Sequence, residues 1–272
     1  MFSIIIPLYN KESFVKDTII SVLKQTYSQF EIIIVDDGST DGSLSVVECI
    51  DDERIRVFHK ENEGVSIARN YGAEKARYEY LCFLDADDIW MPDFLQNMYN
   101  LIAQYPAYHF YGTALDIRYE SHVIKVRHGY RQTVVIRDFC RASLFHRKNI
   151  ICIGTICVKK SLFFTQGGFP PHVKYGEDLD LFLRLSCASP LVYSNKSYFV
   201  YEISRRGTIG PASKNLLIGK MAKNWYEYQY PNRLSLWLYT TMKMILLAFS
   251  SYIRTREYKI AFGILKNIRL KI

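Results

Sequence analysis

Carboxylates gather at three places in this chain. Ile32-Ile33-Ile34-Val35 runs into Asp36-Asp37-Gly38-Ser39-Thr40-Asp41, Tyr80-Leu81-Cys82-Phe83-Leu84 runs into Asp85-Ala86-Asp87-Asp88, and Gly176 precedes Glu177-Asp178. Neighbouring acids repel one another and lose hydration when partly buried, so such clusters persist mainly where a metal or a cationic ligand neutralises them. Asp85 and Asp87 stand two residues apart, which puts both carboxylates on one side of an extended chain. One can grip a ligand while the other binds a metal. Oxygen-only donors favour a hard divalent ion, Mg2+ or Mn2+, that keeps open positions for phosphate oxygens.

Each cluster also has a plainer reading. Asp87 or Asp88 can bond backbone N–H groups ahead of Met91-Pro92-Asp93, and Ser39, Thr40 or Asp41 can cap a helix at Leu44. Capping accounts for one acid of the 36–41 segment, not for all three. Glu177-Asp178 is either a helix cap favoured by the dipole or a general base held at a site. Arg69-Asn70 can form a surface salt bridge, or its guanidinium can reach a phosphate or stack on a base. The histidines at 59, 109, 122, 128, 146 and 172 show no paired spacing and read as surface or loop residues.

Positioning these acids requires strands that end at one edge. Ser3–Leu8 is a short apolar run ending in Tyr9-Asn10, and Val15, Ile19, Val22 and Leu23 follow at helical spacing. Glu31–Val35 repeats the pattern, with Leu44, Val47 and Ile50 as the next helix. Strands are expected at Ile55–Phe58 and Tyr80–Leu84, with a helix from about Val65 to Ala76 between them. Strands alternating with helices imply a parallel sheet covered on both faces, whose ligands sit outside the carboxyl ends of the strands. Those ends carry Asn10, Asp36-Asp37 and Asp85-x-Asp87. Val123–Val126 and Thr133–Ile136 alternate as short antiparallel strands do, Ile153–Val158 reads as a further strand, and Leu179–Leu185 as a helix.

The chain has 272 residues, 49% of them hydrophobic, enough for a large α/β core and an appendage. Six cysteines without a Cys-x-x-Cys pair read as reduced core residues of a cytosolic protein. Pro7 interrupts the N-terminal apolar run, so no secretion signal is expected. The net charge of +8 is uneven: residues 1–213 hold 24 Lys/Arg against 25 Asp/Glu, and 214–272 hold 11 against 2. The whole positive excess belongs to the tail, and a basic patch can serve nucleic acid, an anionic membrane or an acidic partner.

Taken in order, Ile4-Ile5-Ile6-Pro7-Leu8-Tyr9-Asn10, Val35–Asp41, Asn62-Glu63-Gly64 with Ala68-Arg69-Asn70, Leu84–Asp88, and Gly167-Gly168-Phe169 before Gly176-Glu177-Asp178 closely resemble the family 2 glycosyltransferases. The resemblance spans about residues 3–205. It implies an α/β GT-A fold, a mostly parallel sheet flanked by helices, with a nucleotide-binding half at about 1–110 and an acceptor half at 111–213. It implies Mn2+ or Mg2+ as cofactor, a nucleotide-sugar donor of the UDP type, and a glycan or lipid-linked acceptor in bacterial surface polysaccharide synthesis. Carried over by position, Pro7 and Tyr9 line the base pocket beside Asn10, Asp37 bonds the nucleobase and Arg69 lies beside the nucleotide. Asp85 holds the ribose next to Ala86, Asp87 holds the metal, and Asp178 is the catalytic base supported by Glu177.

Two departures from the family pattern matter. No Gln-x-x-Arg-Trp segment follows the base, which favours adding one sugar over spinning a polymer. Tyr201-Glu202 is followed by Arg205-Arg206-Gly207 without a histidine, so Arg205 or Arg206 is expected at the diphosphate. In the 214–272 extension, Leu234–Ile253 is apolar but carries Lys243 at its centre. Tyr258, Ala261, Phe262, Leu265, Ile268 and Ile272 then form one helical stripe, with Lys259, Lys266 and Lys271 largely off it. This pattern fits a helical extension lying on the inner membrane face, or helices packed on the catalytic domain. The rival functions are a nucleotide-sugar-forming nucleotidyltransferase, whose usual Gly-rich basic loop is absent from Ile4–Lys16, and a non-catalytic nucleotide or nucleic-acid-binding module; nucleic acid is not the expected partner.

Overall fold

The computed structural model describes residues 1–119, 122–125, 129–130, 132–139, 142–143, 150–171 and 176–202. Arg205, Arg206 and the 214–272 extension lie outside the described residues.

The chain opens with three β-α units: β1 (Phe2–Leu8), α1 (Val15–Leu23), β2 (Phe30–Asp37), α2 (Ser43–Glu48), β3 (Ile55–Lys60) and α3 (Val65–Lys75). β4 (Tyr80–Phe83), β5 (Ile89–Trp90) and α4 (Phe94–Gln104) follow, then β6 (Phe110–Tyr119), β7 (His122–Lys125) and β8 (Val134–Ile136). A 3-10 turn at Ile153–Thr155 leads into β9 (Ile156–Lys159), α5 (Lys160–Thr165), α6 (Glu177–Ala188) and β10 (Leu191–Glu202). The ten strands form one sheet in the order β3-β2-β1-β4-β9-β6-β10-β5, with β7 on β6 and β8 on β10.

The first four strands are parallel, so Leu8, Asp37, Lys60 and Phe83 all end at the same edge. β9 then inserts antiparallel between β4 and β6, and the sheet is mixed from there on. The antiparallel pairing of β6 with β7 and of β8 with β10 occupies the segment that alternates in sequence. At Ile153–Val158 the strand begins only at Ile156, because Thr155 Oγ1 and Cys152 exchange hydrogen bonds that close a turn first.

The isoleucine runs of β1 and β2 are buried along their whole length, and alternation deals them to two cores. Ile5, Ile33 and Val35 pack with Ala68 and Ala73 of α3 and with Leu181 and Leu185 of α6. Ile4, Ile6, Ile32 and Ile34 pack with Val15 and Ile19 of α1 and with Phe94 and Met98 of α4. Each fully buried side chain of this size contributes about 1.5–3 kcal/mol relative to exposure. Two-sided covering is why these strands read as continuous apolar runs. Cys82 and Cys157 are buried as free thiols, whereas Cys49 is exposed.

α3 lies unusually close to the sheet. A Cβ on Gly72 would stand 2.5 Å from Ile5 Cγ2 and 3.2 Å from Val35 Cγ2. Gly72→Ala is therefore expected to destabilise the fold by about 1–3 kcal/mol, despite the better helix propensity of alanine. Urea denaturation measures this; an unchanged or raised midpoint would mean that α3 can shift off the strands.

Candidate active site

The polar residues at the four strand ends do different things once the edge is assembled. Asp37 is buried, and its carboxylate accepts bonds from Lys60 Nζ at 2.7 Å, Glu63 N at 3.1 Å and Gly64 N at 2.8 Å. It thereby pins the loop that starts α3. Asp36 accepts from Ser39 N at 3.1 Å and faces His59 Nδ1 at 3.3 Å. Asn10 has a left-handed backbone, φ 51°, and its Oδ1 accepts the Thr40 amide at 2.8 Å. Pro7 is buried within β1, Tyr9 is exposed at the edge, and Ala86 is buried.

Arg69 is not a surface residue. Only 3% of its side chain is exposed, and it joins two segments: Nη2 donates to Asp85 Oδ1 at 2.6 Å and Nη1 to Glu177 Oε1 at 3.2 Å. The guanidinium carbon lies 5.2 Å from the centre of the Phe169 ring. Phe169 is held in turn by Asn70, whose Nδ2 donates to Phe169 O at 2.7 Å and whose Oδ1 accepts Phe169 N at 2.8 Å. The Gly167-Gly168-Phe169 segment thus serves to wall in the arginine. Burial works against the Arg69 charge, but Asp85 and Glu177 outweigh it and hold its pKa above the ordinary value.

Glu177 and Asp178 stand in the first turn of α6, after Gly176 at φ 81°. They were candidates for a cap, yet the cap position is Gly176 and makes no side-chain cap bond. Asp178 Oδ1 instead accepts the Leu179 amide at 2.7 Å. Burial is the main reason that both carboxyls are pushed up. Asp178 adds to the effect on Glu177 and Asp85 to that on Asp178, while Arg69 opposes both. Asp88 is buried and pushed well up, first by burial and then by Asp85 and Asp87. Lys11 Nζ donates to Asp87 Oδ2 at 2.5 Å. Sequence reasoning missed Lys11 and Lys60, since nothing local marks them and their partners are distant in the chain, and it gave Asn70 no part in holding Phe169.

The edge therefore brings together Asp85, Asp87, Asp88, Glu177 and Asp178, balanced among the described residues by Lys11 and Arg69. Such an excess of hard anionic oxygens suits a divalent cation of the Mg2+ or Mn2+ type, with Asp87 the most exposed donor. No group of three or more ligating side chains sits ready-made among the described residues. An ion here would take few protein ligands and leave the others to water and phosphate oxygens.

Comparison with known proteins gives the family and the fold. The family model described as Glycosyl transferase family 2 matches residues 3–164. The chain belongs to glycosyl transferase family 2. An uncharacterized glycosyltransferase of Rickettsia felis is 30% identical over 204 residues, 74% of this chain and 33% of that protein. The putative teichuronic acid biosynthesis glycosyltransferase TuaG of Bacillus subtilis is 43% identical over 99 residues, 35% of this chain and 39% of its own. The match thus spans well under half of either relative. Among solved structures, S. aureus TarS 1-349 in complex with UDP-GlcNAc superposes with a TM-score of 0.74 at 17% identity, covering 98% of this chain and 79% of that 1-349 chain. The mannosyltransferase PcManGT from Pyrobaculum calidifontis, in complex with GDP-Man and Mn2+, gives 0.66 at 18% identity, covering 97% and 74%. At these identities the likeness shows the GT-A fold.

The raised carboxyls have a consequence for this family member's stability. Asp88 binds its proton more tightly folded than unfolded. Its contribution to stability is therefore complete only below the unfolded value of 3.8 and is lost as pH rises through the folded value. Asp88→Asn is expected to reduce the loss of stability between acidic and neutral pH. Denaturation midpoints at the two pH values test this, and an identical pH dependence in both proteins would contradict it.

Proposed function

We propose that this chain is an inverting, non-processive, metal-dependent transferase that moves one sugar from a nucleotide-sugar, of the UDP type, to a glycan or lipid-linked acceptor in surface polysaccharide synthesis. The observation that carries this is the meeting of Asp85 and Glu177 on one buried Arg69, which holds the donor-side strand end against the helix bearing Asp178. UDP-GlcNAc in TarS and GDP-Man with Mn2+ in PcManGT support a nucleotide-sugar and a divalent ion. The teichuronic acid assignment of TuaG supports the polysaccharide context. Membership of family 2 argues against the nucleotidyltransferase and the non-catalytic module.

In this reading Pro7, Tyr9, Asn10 and Asp37 form the nucleoside end. Asp37 already receives backbone amides, so a nucleobase N–H would add to an oriented carboxylate. Asp85 faces the ribose beside Ala86, Asp87 holds the metal, and Arg205 or Arg206 is the proposed contact for the diphosphate. When bound, the ion neutralises charge on the departing diphosphate. Asp178 takes the proton of the acceptor hydroxyl as that oxygen attacks the anomeric carbon. The bond to the diphosphate breaks on the opposite face with its electron pair, so the configuration inverts. Burial raises the Asp178 carboxyl, which makes it a stronger base than an exposed carboxylate. Glu177, tied to Arg69, fixes the first turn of α6 around it.

Among the described residues no helix is long and apolar enough to cross a membrane, and the basic 214–272 extension is the proposed contact with an anionic membrane surface. Deleting 254–272 is expected to weaken binding to anionic liposomes, measured by co-sedimentation; unchanged binding would count against it. For the chemistry, a screen of UDP- and GDP-sugars with Mn2+ identifies the donor. Asp178→Asn should then lower transfer by about 10²–10⁴-fold, the range of a positioned base. Transfer at the unmodified rate would remove Asp178 from that role.

A further inference from the structure

Lys11 is a charged residue at this edge that the motifs leave without a role. Its Nζ donates to Asp87 Oδ2 at 2.5 Å, across 76 residues of sequence. The backbone that carries it is fixed. Lys11 N donates to Ser43 Oγ at 2.7 Å, Asn10 N to Ser39 Oγ at 3.1 Å and Glu12 N to Asp41 Oδ2 at 3.2 Å. In the other direction Thr40 N donates to Asn10 Oδ1 at 2.8 Å and Gly42 N to Glu12 Oε2 at 3.1 Å. Five bonds thus lock the 10–12 loop to the 39–43 turn, and the ammonium is delivered to Asp87 from a rigid base.

Asp87 Oδ2 cannot serve two cations at once without cost. A divalent ion takes a carboxylate oxygen at roughly 2.0–2.6 Å, and an ammonium already hydrogen-bonded to that oxygen would sit against it as a like charge. Each cation therefore binds at the expense of the other. We propose that Lys11 is an internal competitor for Asp87 and lowers the affinity of the site for a divalent cation. This inference rests on Asp87 being the metal ligand of the proposed reaction. Both side chains are about a third exposed, 36% for Lys11 and 38% for Asp87, so water can accept the displaced ammonium and the competition is moderate. The strongest partly exposed ion pairs correspond to about fivefold in an equilibrium constant. If the pair served only to tie the 10–12 loop to the segment carrying Asp87, losing Lys11 would free Asp87 to move, and metal affinity would stay level or fall.

Calorimetric titration of the full chain with Mn2+ alone, with no nucleotide, separates these cases. Lys11→Met is expected to bind Mn2+ about fivefold more tightly than the unmodified protein, and Lys11→Arg, which keeps the charge, to stay near it. Lys11→Gln replaces the methionine variant if that one fails to fold, and should show the same gain. Equal or weaker Mn2+ binding by the uncharged variants, with binding by the unmodified protein intact, would overturn the competition. Asp87→Ala provides the baseline. If neither the unmodified protein nor the uncharged variants exceed that baseline, the metal assignment of Asp87 itself falls, and the inference with it.

Discussion

A guanidinium that is almost wholly buried must have its charge met by fixed partners, and the geometry of this edge follows from how Arg69 meets that demand. Its two terminal nitrogens hold Asp85 and Glu177, which lie 16 and 108 residues from it in the sequence. Breaking a buried pair by removing one ion typically costs about 3–5 kcal/mol, because the other is left uncompensated. The same reasoning extends backwards along the chain. Arg69 is placed by α3, α3 approaches the sheet through Gly72, and its start is pinned by Asp37. The carboxylate at the end of β2 thus has a structural task that precedes any contact with a ligand.

That constraint also shapes the chemistry. Holding Glu177 at the arginine stations the neighbouring Asp178 in the first turn of α6, beside the end of β4. Burial raises both carboxyls, and Arg69 limits how far they rise. In the proposed reaction, a carboxyl held more basic than an exposed one suits removal of a proton from the acceptor hydroxyl during attack. The opposite strategy operates at Asp87, whose partner Lys11 is exposed enough to be displaced.

Much of this was legible in the sequence, and the reasons differ by element. The apolar runs of β1, β2 and β4 announced a covered sheet because both of their faces are buried. The α3 reading ended within a residue of the observed Lys75. What local pattern could not give was pairing: nothing in Ile156–Lys159 says that it lies antiparallel between β4 and β6. Nor could it separate a cap from a site. Asn10 also holds Thr40, and of the two readings of Arg69 the surface salt bridge is excluded by its burial. Lys11 left no signal at all, since its meaning lies in a carboxylate that only the fold brings near.

The claim on which the rest depends is that Arg69 and Glu177 act as a coupled pair joining the two sides of the site. A double-mutant cycle of Arg69→Met and Glu177→Gln, read by equilibrium denaturation at neutral pH, tests it most directly. A coupled buried pair predicts that the two losses fall short of additivity by about 0.5–3 kcal/mol. Additive losses would show that the two residues do not depend on one another, and the link between the end of β4 and the start of α6 would have to be abandoned.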